Sequence, residues 1–156
     1  MSLETVQADL AARAPDIHVI VTPHSTATVQ LAADVHGVAP GQIAKTLAIR
    51  VDDREFLLVT RGDARLNNQK AKAAFGGRPR MLGPEDVLRL TSHEVGGVCP
   101  FGLAQPISVY CDESLRGFAE VVPAAGAVNA AVRIAPARMA LLTGAEWIDV
   151  GQDPSA

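Results

Sequence analysis

The sequence predicts an α+β fold: a single domain, residues 1–156, with a central mixed, largely antiparallel sheet and flanking helices. Three observations point there. Segments of helical and of strand periodicity are interspersed along the chain. Several strand candidates follow one another closely, which suits hairpins better than a doubly wound sheet with its crossover helices. No repeat, low-complexity tract or linker divides the 156 residues, a length that suits one domain with one core.

The elements follow in order. Leu3, Val6 and Leu10 lie at helical spacing and predict an amphipathic helix over 3–13. His18–Val21 is a short strand candidate. Ser25 or Thr26 can cap a helix running to His36, with Ala27, Leu31 and Val35 on one face and Gly37 as its stop. Pro40 and Gly41 mark a turn. Residues 43–51 and 55–60 read as two strands joined by the polar turn Asp52-Asp53-Arg54. The second, with Phe56-Leu57-Leu58-Val59, is apolar on both faces and belongs in the middle of a sheet. A helix over Asn67–Phe75 ends at Gly76-Gly77, and another over Pro84–Leu90 carries Glu85 and Asp86 near its positive end. Strands are expected over 107–110, 118–122, 130–134 and 147–150, with a helix over 136–142.

Bulk properties narrow the class. With 48% apolar and 20% charged residues the chain belongs with soluble globular proteins. No apolar run approaches the roughly 18–20 residues of a membrane span, so no membrane partner is expected. Met1–Arg13 carries Glu4 and Asp9 and does not read as a signal peptide, which makes the cytoplasm the expected compartment. Cys99 and Cys111 are too few for a disulfide framework. His93-Glu94 begins like a zinc-protease motif, but Gly97 stands where the second histidine belongs. Neither a metal nor a cofactor is therefore expected. The net charge of -3 argues against a protein that coats nucleic acid. Residues 61–80 nevertheless hold Arg61, Arg65, Lys70, Lys72, Arg78 and Arg80 against Asp63 alone. Such a run is either an ordinary solvated face or a patch able to hold one end of a nucleic acid.

Four features carry candidate chemistry. Lys45 shares a strand face with Leu47, Ile49 and Val51, so its stem points toward the interior side of the sheet. Its amine either reaches back to water or faces a pocket that needs a positive charge. The segment Gly96-Gly97-Val98-Cys99-Pro100-Phe101-Gly102 is a structured loop. It is either a tight turn or a cradle whose N–H groups hold a carbonyl, carboxylate or phosphate oxygen. Cys99 is either a nucleophile with His93 as base or a small buried hydrophobe. Asn129, just past Gly126, is a pocket residue or a turn residue.

Taken together, Gln42-Ile43-Ala44-Lys45-Thr46-Leu47, then Phe56-Leu57-Leu58-Val59, the Gly96-x-x-x-Pro100 loop and Ala125-Gly126 before a strand resemble the YbaK-like, prolyl-tRNA-synthetase-associated editing family. The resemblance runs from about His18 to Val150. It implies the fold of that family and an aminoacyl-tRNA deacylase acting in trans, which hydrolyses the ester of a small wrong amino acid (Ala, Cys or Ser class) on tRNA, tRNA-Pro foremost. By the same resemblance Lys45 and Gly96 would serve the reaction, while Thr46, Gly97, Val98, Cys99, Pro100, Gly126 and Asn129 would line the substrate site. The partners implied are the acceptor end of a mischarged tRNA and a prolyl-tRNA synthetase. Cys99 stands where relatives often carry Ser or Thr, and Thr46 where an alanine-specific subgroup has Asn, so the amino acid removed stays open among the three. A non-catalytic module that binds an aminoacyl end, a synthetase or another nucleic acid is the alternative reading.

Overall fold

A computed structural model describes residues 2–152; Met1 and 153–156, the outermost residues of the expected domain, lie outside the described residues. In chain order the elements are α1 (Ser2–Arg13), β1 (Ile20–Val21), α2 (Val29–His36), a 3-10 turn at Pro40–Gln42, β2 (Ile43–Val51), β3 (Arg54–Arg61) and β4 (Arg65–Leu66). Then come α3 (Asn68–Phe75), β5 (Arg80–Met81), α4 (Pro84–Thr91), β6 (Val109–Asp112), a 3-10 turn at Glu113–Gly117, β7 (Val122–Pro123), β8 (Ala130–Ala131), α5 (Pro136–Thr143), β9 (Glu146–Ile148) and β10 (Gly151–Gln152).

The hairpin of β2 and β3 organises the molecule. Its two strands pair over their whole length, from Ala44↔Arg61 to Val51↔Arg54, and Asp52 turns the chain with a φ of 54°. Aspartate tolerates that left-handed conformation better than most residues. The sheet runs β5-β2-β3-β6-β9, with β7 sharing the outer edge of β2. It is mixed: β5 and β3 lie antiparallel to β2, whereas β7 on β2, β6 on β3 and β9 on β6 are parallel. Two short antiparallel ladders, β1–β8 and β4–β10, stand beside it.

Both faces of β3 are buried, as four successive apolar residues require. On one face Leu57 and Val59 pack with Val6 and Leu10 of α1, Phe101 and Met139. On the other, Phe56, Phe75 and Tyr110 meet ring to ring at 4.6–5.4 Å, joined by Leu58, Ile49 and Val150. A third, smaller cluster (Ala32, Ala33, Ile43, Val122 and Ala131) fastens α2 to the sheet edge.

Helix ends follow the sequence signals with one shift. Asn67 caps α3 through Lys70 N, and Gly37, Gly76 and Gly144 close α2, α3 and α5 in the left-handed region. The second helix, however, starts at Val29 and is capped by Thr28, whose hydroxyl accepts from Leu31 N. Ser25 and Thr26 lie in the approach to it. The strand expected over 118–122 is reduced to Val122–Pro123 plus a single bridge from Val121 to Ile134. A 3-10 turn capped by Asp112 carries the chain to Gly117 and delays the strand.

Asp112 is 1% exposed and has four donors: Val150 N (2.8 Å) and Gly151 N (2.9 Å) on Oδ1, Ser114 N (3.1 Å) and Ser114 Oγ (2.5 Å) on Oδ2. These donors satisfy the oxygens of a carboxyl group that burial removes from water. It fixes the approach to β10, and Val150 in turn accepts a bond from Asn67 N at 2.8 Å.

Candidate active site

The outer edge of β2 is interrupted. β7 pairs with it at Ile43–Ala44 and β5 at Ile49–Arg50, which leaves the stretch between them without a strand neighbour on that side. A pocket of about 280 Å³ opens at this gap. Its walls come from five segments distant in sequence: Thr26–Val29 with Ala32, Ile43–Ala48, Met81–Leu82 with Val87, Val95–Gly96 with Val98, and 122–131 through Val122, Ala124, Ala130 and Ala131. Most of these side chains are apolar and small, which makes the cavity suitable for a small group.

Lys45 and Thr46 supply the polar part of this lining from β2. The Lys45 side chain is half-buried, and its Nζ donates to Ala64 O at 2.6 Å. Burial lowers its pKa from the ordinary lysine value, partly opposed by the nearby Asp63 carboxylate. The ammonium is thus held by a main-chain carbonyl of the loop after β3. The hydroxyl of Thr46 is buried and has no hydrogen-bond partner.

The 94–102 loop forms the opposite wall. Gly97 N donates to Glu94 O at 3.0 Å, and Gly97 O accepts from Gly126 N at 2.9 Å, locking this loop to the 125–129 turn. The contact is too close for a side chain: a Cβ on Gly97 would stand 2.6 Å from Ala127 N, and Gly126, with φ +92°, would place one 2.7 Å from Ser2 O. Gly96 and Val98 reach the pocket, while Gly97 and Gly126 join the two loops behind it.

Cys99, Pro100 and Asn129 are elsewhere. Cys99 is fully buried, its Sγ 3.6 Å from both His93 Nε2 and Phe101 O, and burial pushes the thiol up to about 12. His93 is also fully buried; its Nε2 is 2.7 Å from Phe101 O and its Nδ1 meets Ser2 Oγ. The histidine and thiol are neighbours, but both are sealed from the pocket and the thiol is held protonated, so neither can present a nucleophile there. Pro100 faces a separate groove between α1 and α5. Asn129 ties β1 to the 125–129 turn: its Nδ2 donates to Thr22 O at 2.9 Å.

The basic run 61–80 divides in space. Arg61 pairs with Asp63 at 2.6 Å and stacks over Phe118, and Lys70 pairs with Asp149 at 3.0 Å. Arg78 and Arg80 are exposed and instead join Arg50, Asp52 and Asp86 around a cleft of about 360 Å³. That cleft shares Met81 and Leu82 with the pocket, so a mixed surface of three arginines and two aspartates, with Arg50 paired to Glu55, adjoins the small cavity.

A family model for the aminoacyl-tRNA editing domain matches residues 23–141, which include the β2 edge and both loops of the pocket. The chain belongs to the aminoacyl-tRNA editing domain family. Among relatives of this editing domain, an uncharacterised protein of Bacillus subtilis (strain 168), YwhH, is 41% identical over 155 residues, covering 98% of this chain and 99% of its own. The proline–tRNA ligase of Bacillus cytotoxicus is 30% identical over 97 residues, 62% of this chain but only 17% of the ligase. The editing domain superposes on the crystal structure of a protein described as a candidate trans-editing enzyme for prolyl tRNA synthetase, with a TM-score of 0.90, 36% identity and coverage of 97% and 98% of the two chains. A second crystal structure, of a hypothetical protein, gives a TM-score of 0.87 at 30% identity, covering 95% and 99%. The α+β architecture is therefore that of the editing domains.

Of the residues singled out from the sequence, Lys45, Thr46, Gly96 and Val98 line this pocket, and the wall made by Thr26–Val29 and Ala32 was not among them. The signal present there, a Thr-rich approach to a short helix, reads as capping alone. Met81 and Leu82 also gave no signal, because β5 is only two residues long.

Proposed function

We propose that this protein hydrolyses the ester joining a small wrong amino acid, of the Ala, Cys or Ser class, to the 3′-terminal ribose of a tRNA. The observation that carries the reading is the half-buried Lys45 ammonium at the edge of a small apolar pocket. Ester hydrolysis places negative charge on the carbonyl oxygen as water adds to the carbon. A cation already fixed by Ala64 O needs little reorganisation to meet that charge, and in a partly desolvated site its effect exceeds what it would be in water. Gly96 and Val98 bring main-chain groups to the opposite wall, where they would hold the aminoacyl end. The products are the free amino acid carboxylate and the ribose hydroxyl. A cavity of about 280 Å³ favours small side chains by size, the logic of a second sieve.

The exposed Arg78 and Arg80 of the adjoining cleft suit the phosphates of an acceptor end. The match to part of proline–tRNA ligases favours tRNA-Pro as the substrate, cytoplasmic action in trans, and docking to a prolyl-tRNA synthetase. The test is release of labelled amino acid from Ala-, Cys- and Ser-tRNA-Pro, with Pro-tRNA-Pro as control, by wild type and Lys45→Ala. Release from a mischarged species that falls at least about a hundredfold in the variant is expected, the scale seen when an oxyanion-stabilising group is removed. No release from any of them by folded protein would replace hydrolysis with a binding role.

A further inference from the structure

The interrupted edge of β2 leaves the outward hydrogen-bonding groups of Thr46 unfilled. Main-chain groups along a strand point alternately to its two sides. Ala48 O accepts from Leu82 N, so the even-numbered residues of β2 direct their N–H and C=O groups outward, away from β3. Ala44 meets β7 and Arg50 meets β5. Thr46 stands between them, and among the described residues neither its N–H nor its C=O has a partner. Its Oγ1 is also buried and unpartnered. A buried hydroxyl is almost always satisfied, so the open Oγ1, beside two open main-chain groups of the same pocket residue, points to a ligand that completes them.

Resting on the deacylase reading, we infer that Thr46 receives the aminoacyl group as a one-residue antiparallel strand. The α-ammonium of the amino acid donates to Thr46 O, and its carbonyl accepts from Thr46 N–H, the double bond of a hydrogen-bonded antiparallel pair. Residues paired in this way place their side chains on the same face of the sheet. The substrate side chain then lies beside Thr46 Oγ1, which makes a β-hydroxyl, as in a seryl group, the preferred small substituent. Apolar side chains of Ala44 and Ala48 flank that position along the strand.

The test uses the non-hydrolysable amide analogue 3′-seryl-amino-3′-deoxyadenosine and its alanyl counterpart, with binding followed by NMR titration and hydrolysis followed on the matching tRNA esters. Replacing the Thr46 amide by an ester removes its N–H and weakens the Lys45 carbonyl as an acceptor toward β3; it is expected to weaken binding of both analogues about tenfold or more, with a smaller fall in melting temperature than the Ile49 replacement below. The same replacement at Ile49, whose amide faces β3, is expected to lower stability and leave binding unchanged. Thr46→Val is expected to weaken the seryl analogue about tenfold and the alanyl analogue less than about twofold. Binding within twofold of wild type in the Thr46 ester variant, equal losses of both analogues in Thr46→Val, or no binding by wild type would each overturn the inference. Binding of the analogues with this pattern, without hydrolysis of the tRNA esters, would overturn the deacylase reading alone.

Discussion

Gly97→Ala tests whether the loop motif works through close packing. The added Cβ would lie 2.6 Å from Ala127 N, 2.8 Å from Gly126 C and 2.9 Å from Ala127 Cα. All three atoms are main chain, so no side chain can rotate away, and the two loops must part. Overpacking of this kind costs about 1–3 kcal/mol. Parting the loops also stretches the 2.9 Å bond from Gly126 N to Gly97 O, which is worth about 1 kcal/mol. Together they give a loss of about 2–4 kcal/mol. Each kcal/mol moves the melting temperature of a domain this size by roughly 2–4 °C, so a fall on the order of 10 °C is expected. The control is Gly83→Ala: Gly83 has φ -73° and nothing within 4 Å of an added Cβ, so its melting point should hardly change. Urea and thermal unfolding followed by circular dichroism measure both. A Gly97→Ala protein melting within about 2 °C of wild type would refute the packing argument, because it would mean the loops yield at under about 1 kcal/mol.

Two further predictions concern the sealed His93–Cys99 pair. Cys99→Ala is expected to keep turnover within about threefold and to lose about 1 kcal/mol of stability from the small void, and native protein should react with iodoacetamide slowly at this thiol. A hundredfold loss of turnover in a folded variant would instead make the thiol a participant. Burial lowers the pKa of His93 despite the Phe101 carbonyl, and burial followed by Arg133 lowers that of His36. Below about pH 6.5 the unfolded chain therefore binds more protons than the folded one, so stability rises with pH through that window and falls from about pH 7 toward pH 5. Melting curves across pH 5–8 should show this slope, reduced in His93→Gln; a flat profile would contradict the buried neutral imidazole.

Much of the fold was legible because its signals are local. Helix stops at Gly37, Gly76 and Gly144, the Asn67 cap and the Asp52 hairpin each depend on a residue and its near neighbours. β4, β5 and β10 are two residues each, too short for any periodicity, and exist because distant partners complete them. The site divides along the same line. Alternation placed Lys45 on an apolar face, but its hydrogen-bond acceptor, Ala64 O, arrives from a loop 19 residues later. The run Arg61–Arg80 is continuous in sequence, yet the turns of β4, α3 and β5 distribute it over separate surfaces. His93 and Cys99 do come within 3.6 Å, but spacing alone could not tell that both would be sealed from the pocket.

The four donors on Asp112 bear on Lys45 although the two residues are remote in the fold. Asp112 clamps Val150 and Gly151; Val150 O takes the amide of Asn67, and β10 ladders onto β4 at Arg65 and Leu66. The next residue back along the chain is Ala64, whose carbonyl moors the lysine. The cation is therefore tethered, link by link, to a carboxylate beyond β3 in the sheet. Loss of that clamp would release the strap carrying Ala64 and set the ammonium adrift, with every residue of the pocket unchanged.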